Sequence, residues 1–164
     1  MADLTFKTRT YQIVVHEGHG HLKRTVNTGT GEAVYPGMVV TATGHTWPEV
    51  GKPDEIYDVP LGIIGLPDDQ DIDAEFSDDE EVIAYMVGSG AIMFTKVVGG
   101  GTVTAGEKMY CAGAGDTGWV TPAHTIVGEA TASFGMELTR EYVGIAMETL
   151  ASAASVKPLK IALV

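Results

Sequence analysis

The stretch His16-Glu17-Gly18-His19-Gly20-His21 places three imidazoles and a carboxylate within six residues, side chains that a transition metal takes as ligands. Extended backbone would set His19 and His21 on one face and His16 on the other. A third ligand then requires the strand to bend at Gly18 or Gly20. The helical alternative is the zinc-protease pattern H-E-x-x-H, which stacks its two histidines one turn apart. His19 follows His16 one position too early for that spacing, and Gly18 sits where a helix is weakened. The pattern favours a polar turn or hinge between the strand Tyr11 to Val15 and the stretch Leu22 to Val26. The His16, His19 and His21 cluster is kept as the alternative, a metal-binding β-domain or metal-dependent enzyme.

The run from Asp68 to Glu81, with nine acids, is the second candidate for cation chemistry. Asp69, Asp71, Asp73, Glu75 and Glu80 fall at positions 1, 3, 5, 7 and 12 of a calcium-binding loop, where oxygen ligands are wanted. That loop needs glycine at its sharp turn, and Ala74 stands there. The flanks, Val59 to Gly65 and Val82 to Gly88, read as strands instead of the helix pair of that motif. A solvated acidic connection explains the run better.

Gly113-Ala-Gly-Asp-Thr-Gly118 matches G-x-G-x-x-G, yet Trp119-Val-Thr-Pro122 follows where a dinucleotide-binding helix must start, and Asp116 would repel a pyrophosphate. A hairpin turn is expected instead. The single cysteine, Cys111, excludes an internal disulfide framework and a cysteine-based zinc site. His45 and His124 lie in Thr- and Pro-rich turns, and no serine sits in a G-x-S-x-G elbow. No catalytic, cofactor-binding or metal residue is assigned, and no cofactor is expected. Trp47 and Trp119 would serve a carbohydrate-binding module only if both were exposed on one face.

The elements that must carry these residues are short strands. Twenty-one glycines and several Thr/Val-rich runs point to an all-β chain: a small Gly-rich β-barrel or sandwich of short strands with an N-terminal arm and at most one short helix. Eight candidates are punctuated by Gly and Pro: Gly37 to Thr43, Val59 to Leu66, Glu81 to Gly88, Ala91 to Val98, Glu107 to Gly113, Gly118 to Ala123, Glu141 to Glu148 and Leu159 to Val164. Within them an order of parts recurs. "PGMVV" (Pro36 to Val40), "LGII" (Leu61 to Ile64) and "VIAYMV" (Val82 to Val87) are echoed by "AGEKMY" (Ala105 to Tyr110), "VGIA" (Val143 to Ala146) and "LKIALV" (Leu159 to Val164). The inner glycines of "LGII" and "VGIA" suit a bend or a close backbone approach, and two such copies packed together would close one small barrel. Ile126 to Leu138 and Met147 to Ser155 admit a helical turn or a loop.

Residues 1–33 read as an arm and residues 34–164 as a β-barrel domain. Over residues 1–32, Lys7, Arg9, Lys23 and Arg24 face Asp3, Glu17 and Glu32, so the arm is slightly positive in a chain of net charge −12. That acidity repels phosphate backbones and anionic lipid, so neither nucleic acid nor membrane is an expected partner. No apolar run approaches the length of a membrane span.

With these pieces in place, "YPGMVV", "VPLGIIG", "TAGEKMYC", "EYVGIAMET" and the closing "LKIALV" resemble the small capsid decoration, or cement, proteins of tailed phages and related archaeal viruses. In that family a turn such as "TAGEKMY" precedes a strand of a Gly-rich β-barrel, "VGIA" follows, and a last strand closes the body. The likeness spans residues 34–164; the N-terminal region and the Asp68 to Glu81 loop depart from the pattern. It implies a structural virion protein and not an enzyme, made in the host cytoplasm and carried on the outer surface of the viral capsid. There it would bind the major capsid protein, assemble with itself as a homotrimer and stabilise the shell. The slightly basic arm is the expected contact with an acidic neighbour.

Overall fold

The computed structural model describes residues 13–16, 18–26, 33–42, 44–53, 58–66, 73–98, 102–112, 118–122, 142–151 and 157–164. These hold eleven strands: β1 (Val14–His16), β2 (His21–Val26), β3 (Val39–Thr41), β4 (Glu49–Val50), β5 (Pro60–Ile64), β6 (Glu81–Met86), β7 (Ile92–Val97), β8 (Lys108–Cys111), β9 (Val120–Pro122), β10 (Tyr142–Ala146) and β11 (Lys157–Ala162). All eight strands expected from the sequence are present. Among the described residues there is no helix, and so none long and apolar enough to cross a membrane.

Each half of the sequence echo closes into a barrel of its own. In the first, β2, β6, β5 and β3 pair antiparallel in that order, and β4 lies parallel to β2 with Val26 beside Val50. Thr41 and Gly51 exchange both backbone hydrogen bonds, at 2.9 and 3.1 Å, and so join β3 to the end of β4. In the second, β7, β11, β10, β8 and β9 follow the same order, and the parallel pairing of Val97 with Val120 brings β9 back to β7. The two copies were expected to close one barrel between them. The seam that lets each close alone is a parallel pairing of its first strand with its third, and in the first repeat that third strand is only two residues long.

Hydrogen bonds match position for position between the repeats. Gly37 N–H donates to Ile64 C=O at 2.8 Å, and Gly106 N–H to Ala146 C=O at 2.8 Å. Gly65 donates to Ile83 at 2.9 Å as Met147 does to Lys160 at 2.8 Å; Phe76 donates to Val34 at 2.9 Å as Leu150 does to Val103 at 2.9 Å. The register slips at the same step, leaving Leu61 and Val143 as the bulged residues. The inner glycines fall one residue later. A β-carbon on Gly62 would strike the Tyr85 carbonyl, and one on Gly144 the Ala162 carbonyl, so neighbouring backbones approach there as only glycine allows.

The strand β2 lies inside the segment expected to be an arm. It pairs with β6 from His21 beside Tyr85 to Thr25 beside Glu81, and it is a stave of the first barrel; β1 adds to β7 with Val14 beside Met93. The physical reason is alternation. Arg24 and Val26 are both buried on the inward side, although the letters "LKRTV" look polar. Residues 1–12, Ile126 to Leu138 and the 152–155 part of Met147 to Ser155 lie outside the described residues.

Two clusters hold the body. Val26, Val40, Val50, Ile64, Phe76 and Val82 fill the first barrel. Met93, Val97, Met109, Val120, Leu159 and Ile161 fill the second, and their cluster continues into Ile13, Val39, Ile63 and Tyr85, which join barrel to barrel. Each fully buried aliphatic side chain contributes roughly 1.5–3 kcal/mol against exposure.

Candidate functional site

The histidine stretch is a crossing between barrels. His16 ends β1 on the second barrel's sheet, Gly18 turns with φ of 64°, and His21 begins β2 in the first. His19 N–H donates to Ser89 C=O at 2.9 Å, and Met86 N–H donates to Gly20 C=O at 2.7 Å. This crossing is therefore laced to the β6–β7 connection, which runs back the other way. A β-carbon on Gly18 would collide with the Ser89 carbonyl, so close packing accounts for a glycine there. His16 and His19 are exposed, whereas Glu17 and the side chain of His21 lie outside the described residues. Among the described residues no group of three or more His, Cys, Asp or Glu is placed to hold a metal ion.

In the acidic run, Asp69 and Asp71 lie outside the described residues, and Asp73 and Glu75 are exposed. The Glu80 carboxylate serves the local turn, where it accepts from Ser77 N–H at 2.7 Å. Asp79 takes a left-handed φ of 63° and donates its N–H to Val26 C=O at 2.8 Å. Phe76, 1% exposed, drops into the first core between these acids. The described part of the run is thus a connection pinned to the barrel at Phe76 and Asp79.

Aromatic side chains and cations meet at several surface points. The Arg24 guanidinium lies 3.9 Å from the centre of the Trp47 ring, and Trp47 is 71% exposed. Sequence reasoning missed this pair; the signal was the two-residue spacing of Arg24 and Val26. On the second barrel, Lys96 Nζ lies 5.0 Å from the Trp119 ring centre, Lys108 Nζ 4.9 Å from that of Tyr142 and Lys160 Nζ 5.5 Å from that of Phe94. Trp47 is exposed on the first barrel, whereas Trp119, on the second, is half-buried and has Lys96 near its ring. Cys111 is buried, His45 is half-buried, and His124 and residues 113–117 lie outside the described residues.

Charge divides along the repeats. Residues 13–91 carry 15 Asp and Glu against Lys23, Arg24 and Lys52, whereas residues 92–164 carry six acids against five Lys and Arg. What the described residues build is a pair of barrels with aromatic contact points, on two sequence halves of which one is strongly acidic and the other nearly balanced. Compared with protein-family models and with curated proteins, the chain matches none.

Proposed function

We propose that the protein is a structural virion component that binds the outer surface of a viral capsid, through the major capsid protein, and stabilises the shell. What supports it most is where the motifs that resemble those of decoration proteins fall in the fold. "TAGEKMYC", "EYVGIAMET" and "LKIALV" fall on β8, β10 and β11 of one closed barrel, in the order that likeness calls for, and "YPGMVV" and "VPLGIIG" fall on β3 and β5 of the other. Closed barrels of short strands leave little free edge to pair with chance neighbours, which suits a clamp under mechanical load. The near-balanced second repeat can approach an acidic shell, while the acidic first repeat keeps displayed copies apart. Assembly with further copies, as a homotrimer, is part of this proposal.

Capsids prepared with and without the protein test it. Decorated shells are expected to sediment with bound protein and to withstand higher temperature before releasing their genome. Equal thermal stability with no co-sedimentation would count decisively against the proposal.

A further inference from the structure

The contact between the two barrels is one-sided. The first repeat presents the Gly37 to Val39 run, Ile63 and Tyr85. The second presents Phe94, whose carbonyl would lie 3.2 Å from a β-carbon on Gly37, and Gly118, whose C=O accepts from Val39 N–H at 2.9 Å. Two similar units therefore meet through different surfaces, and such a heterologous contact leaves one copy of each surface unused.

The matched registers locate the unused copies. Val39, Ile63 and Tyr85 correspond to Lys108, Ile145 and Ala162, through the equivalence of Gly62 with Gly144. Gly118 corresponds to Pro48, through the equivalence of Val120 with Val50 at the parallel seams. Inside the chain the used members are closed off: Val39 and Ile63 are 0% exposed and Tyr85 7%. Their counterparts are open. Lys108 and Pro48 are exposed, Ile145 and Ala162 are half-buried, and Trp47, beside Pro48, is the most exposed large apolar side chain among the described residues.

We propose that the unused surfaces meet between chains, the Lys108, Ile145 and Ala162 face of one copy covering Trp47 and Pro48 of the next. This rests on the reading that the protein assembles with copies of itself, and it names the contact. Three observations fit a second copy as the occupant. The contact continues one already made between repeats. Trp47 is held against a buried Arg24, and these are the residue types that dominate binding energy at interfaces. Lys108 carries the charge opposite to the net charge of residues 13–91, which hold 15 acids against three bases. A heterologous contact closes as a ring or runs on as a filament. In a trimer it would set the barrels of the two repeats alternately around the ring.

Cysteine cross-linking with a short bis-maleimide reads the contact directly. A mixture of Trp47→Cys and Lys108→Cys chains is expected to give mixed dimers, and the double variant a ladder of covalent oligomers. Either single variant alone should cross-link at least about tenfold less, because a heterologous contact brings unlike positions together. Trp47→Ala is expected to weaken self-association in sedimentation equilibrium at least about tenfold, as central tryptophans do. The melting temperature of the dissociated chain should hold to within a few degrees, since the side chain lies outside both cores. Single variants that cross-link as well as the mixture, or oligomers insensitive to Trp47→Ala, overturn this contact and leave trimer formation standing. A chain that stays monomeric at every concentration overturns both. Co-sedimentation of that monomer with capsids would still support shell binding.

Discussion

Replacing Gly62 with alanine is expected to destabilise the protein by about 2–4 kcal/mol, with Gly144→Ala close behind. In both cases the new methyl meets backbone, the Tyr85 carbonyl in one repeat and the Ala162 carbonyl in the other. Backbone in the middle of a paired sheet cannot swing aside as a long side chain can. The adjoining bulges at Leu61 and Val143 already fix the register, so the strand cannot slip to make room. For a chain of this length the expected fall in Tm is roughly 5–15 °C by calorimetry. Gly88→Ala is the control. It has φ of 84° and nothing within 4 Å of a built β-carbon, so only the left-handed backbone opposes the change, at about 1 kcal/mol. Gly62→Ala no more harmful than Gly88→Ala would mean that β5 and β6 are not drawn together at that point.

That pair of glycines also marks what the chain disclosed before any coordinates. The eight strands from Gly37 onward are separated by Gly and Pro and are rich in β-branched residues, and all eight are present. "LGII" and "VGIA" stood out because a glycine inside an apolar run needs a reason, and the close backbone approach is that reason. Closure was not legible. A parallel seam between β2 and β4 or between β7 and β9 rests on one or two residue pairs, far too few to leave a pattern. The strand β2 was hidden for a different cause. Period-two alternation identifies a strand only when the inward letters are apolar, and Arg24, buried beneath Trp47, breaks that rule. The candidate contact surfaces were less legible still, because Lys108 and Trp47 acquire their meaning from positions in the other repeat that are far away in sequence.

Phe76→Ala is expected to cost about 3–5 kcal/mol, the largest loss from a single side-chain truncation in the first barrel. Phe76 is the bulkiest of the fully buried side chains among the described residues, and its neighbours Glu75, Ser77, Asp78 and Asp79 are all exposed. A run that crowds nine acids repels itself, and the Phe76 ring in the core and the backbone bonds to Val34 and Val26 are among the contacts that hold its described end on the barrel. The backbone bond of Phe76 survives the substitution, so the loss measures the side chain and the cavity it leaves. The repeat supplies an internal scale. Leu150 occupies the corresponding place in the second barrel but is only partly buried, and Leu150→Ala is expected to cost about half as much. Limited proteolysis adds a local readout: cleavage within the acidic run of Phe76→Ala should quicken at least about tenfold, because an opening that loses about 1.4 kcal/mol of protection is populated ten times more often. Raised salt should slow that cleavage by screening the acids. A denaturant titration in which Phe76→Ala costs less than about 1 kcal/mol would show that the acidic run is held by something other than its one buried ring.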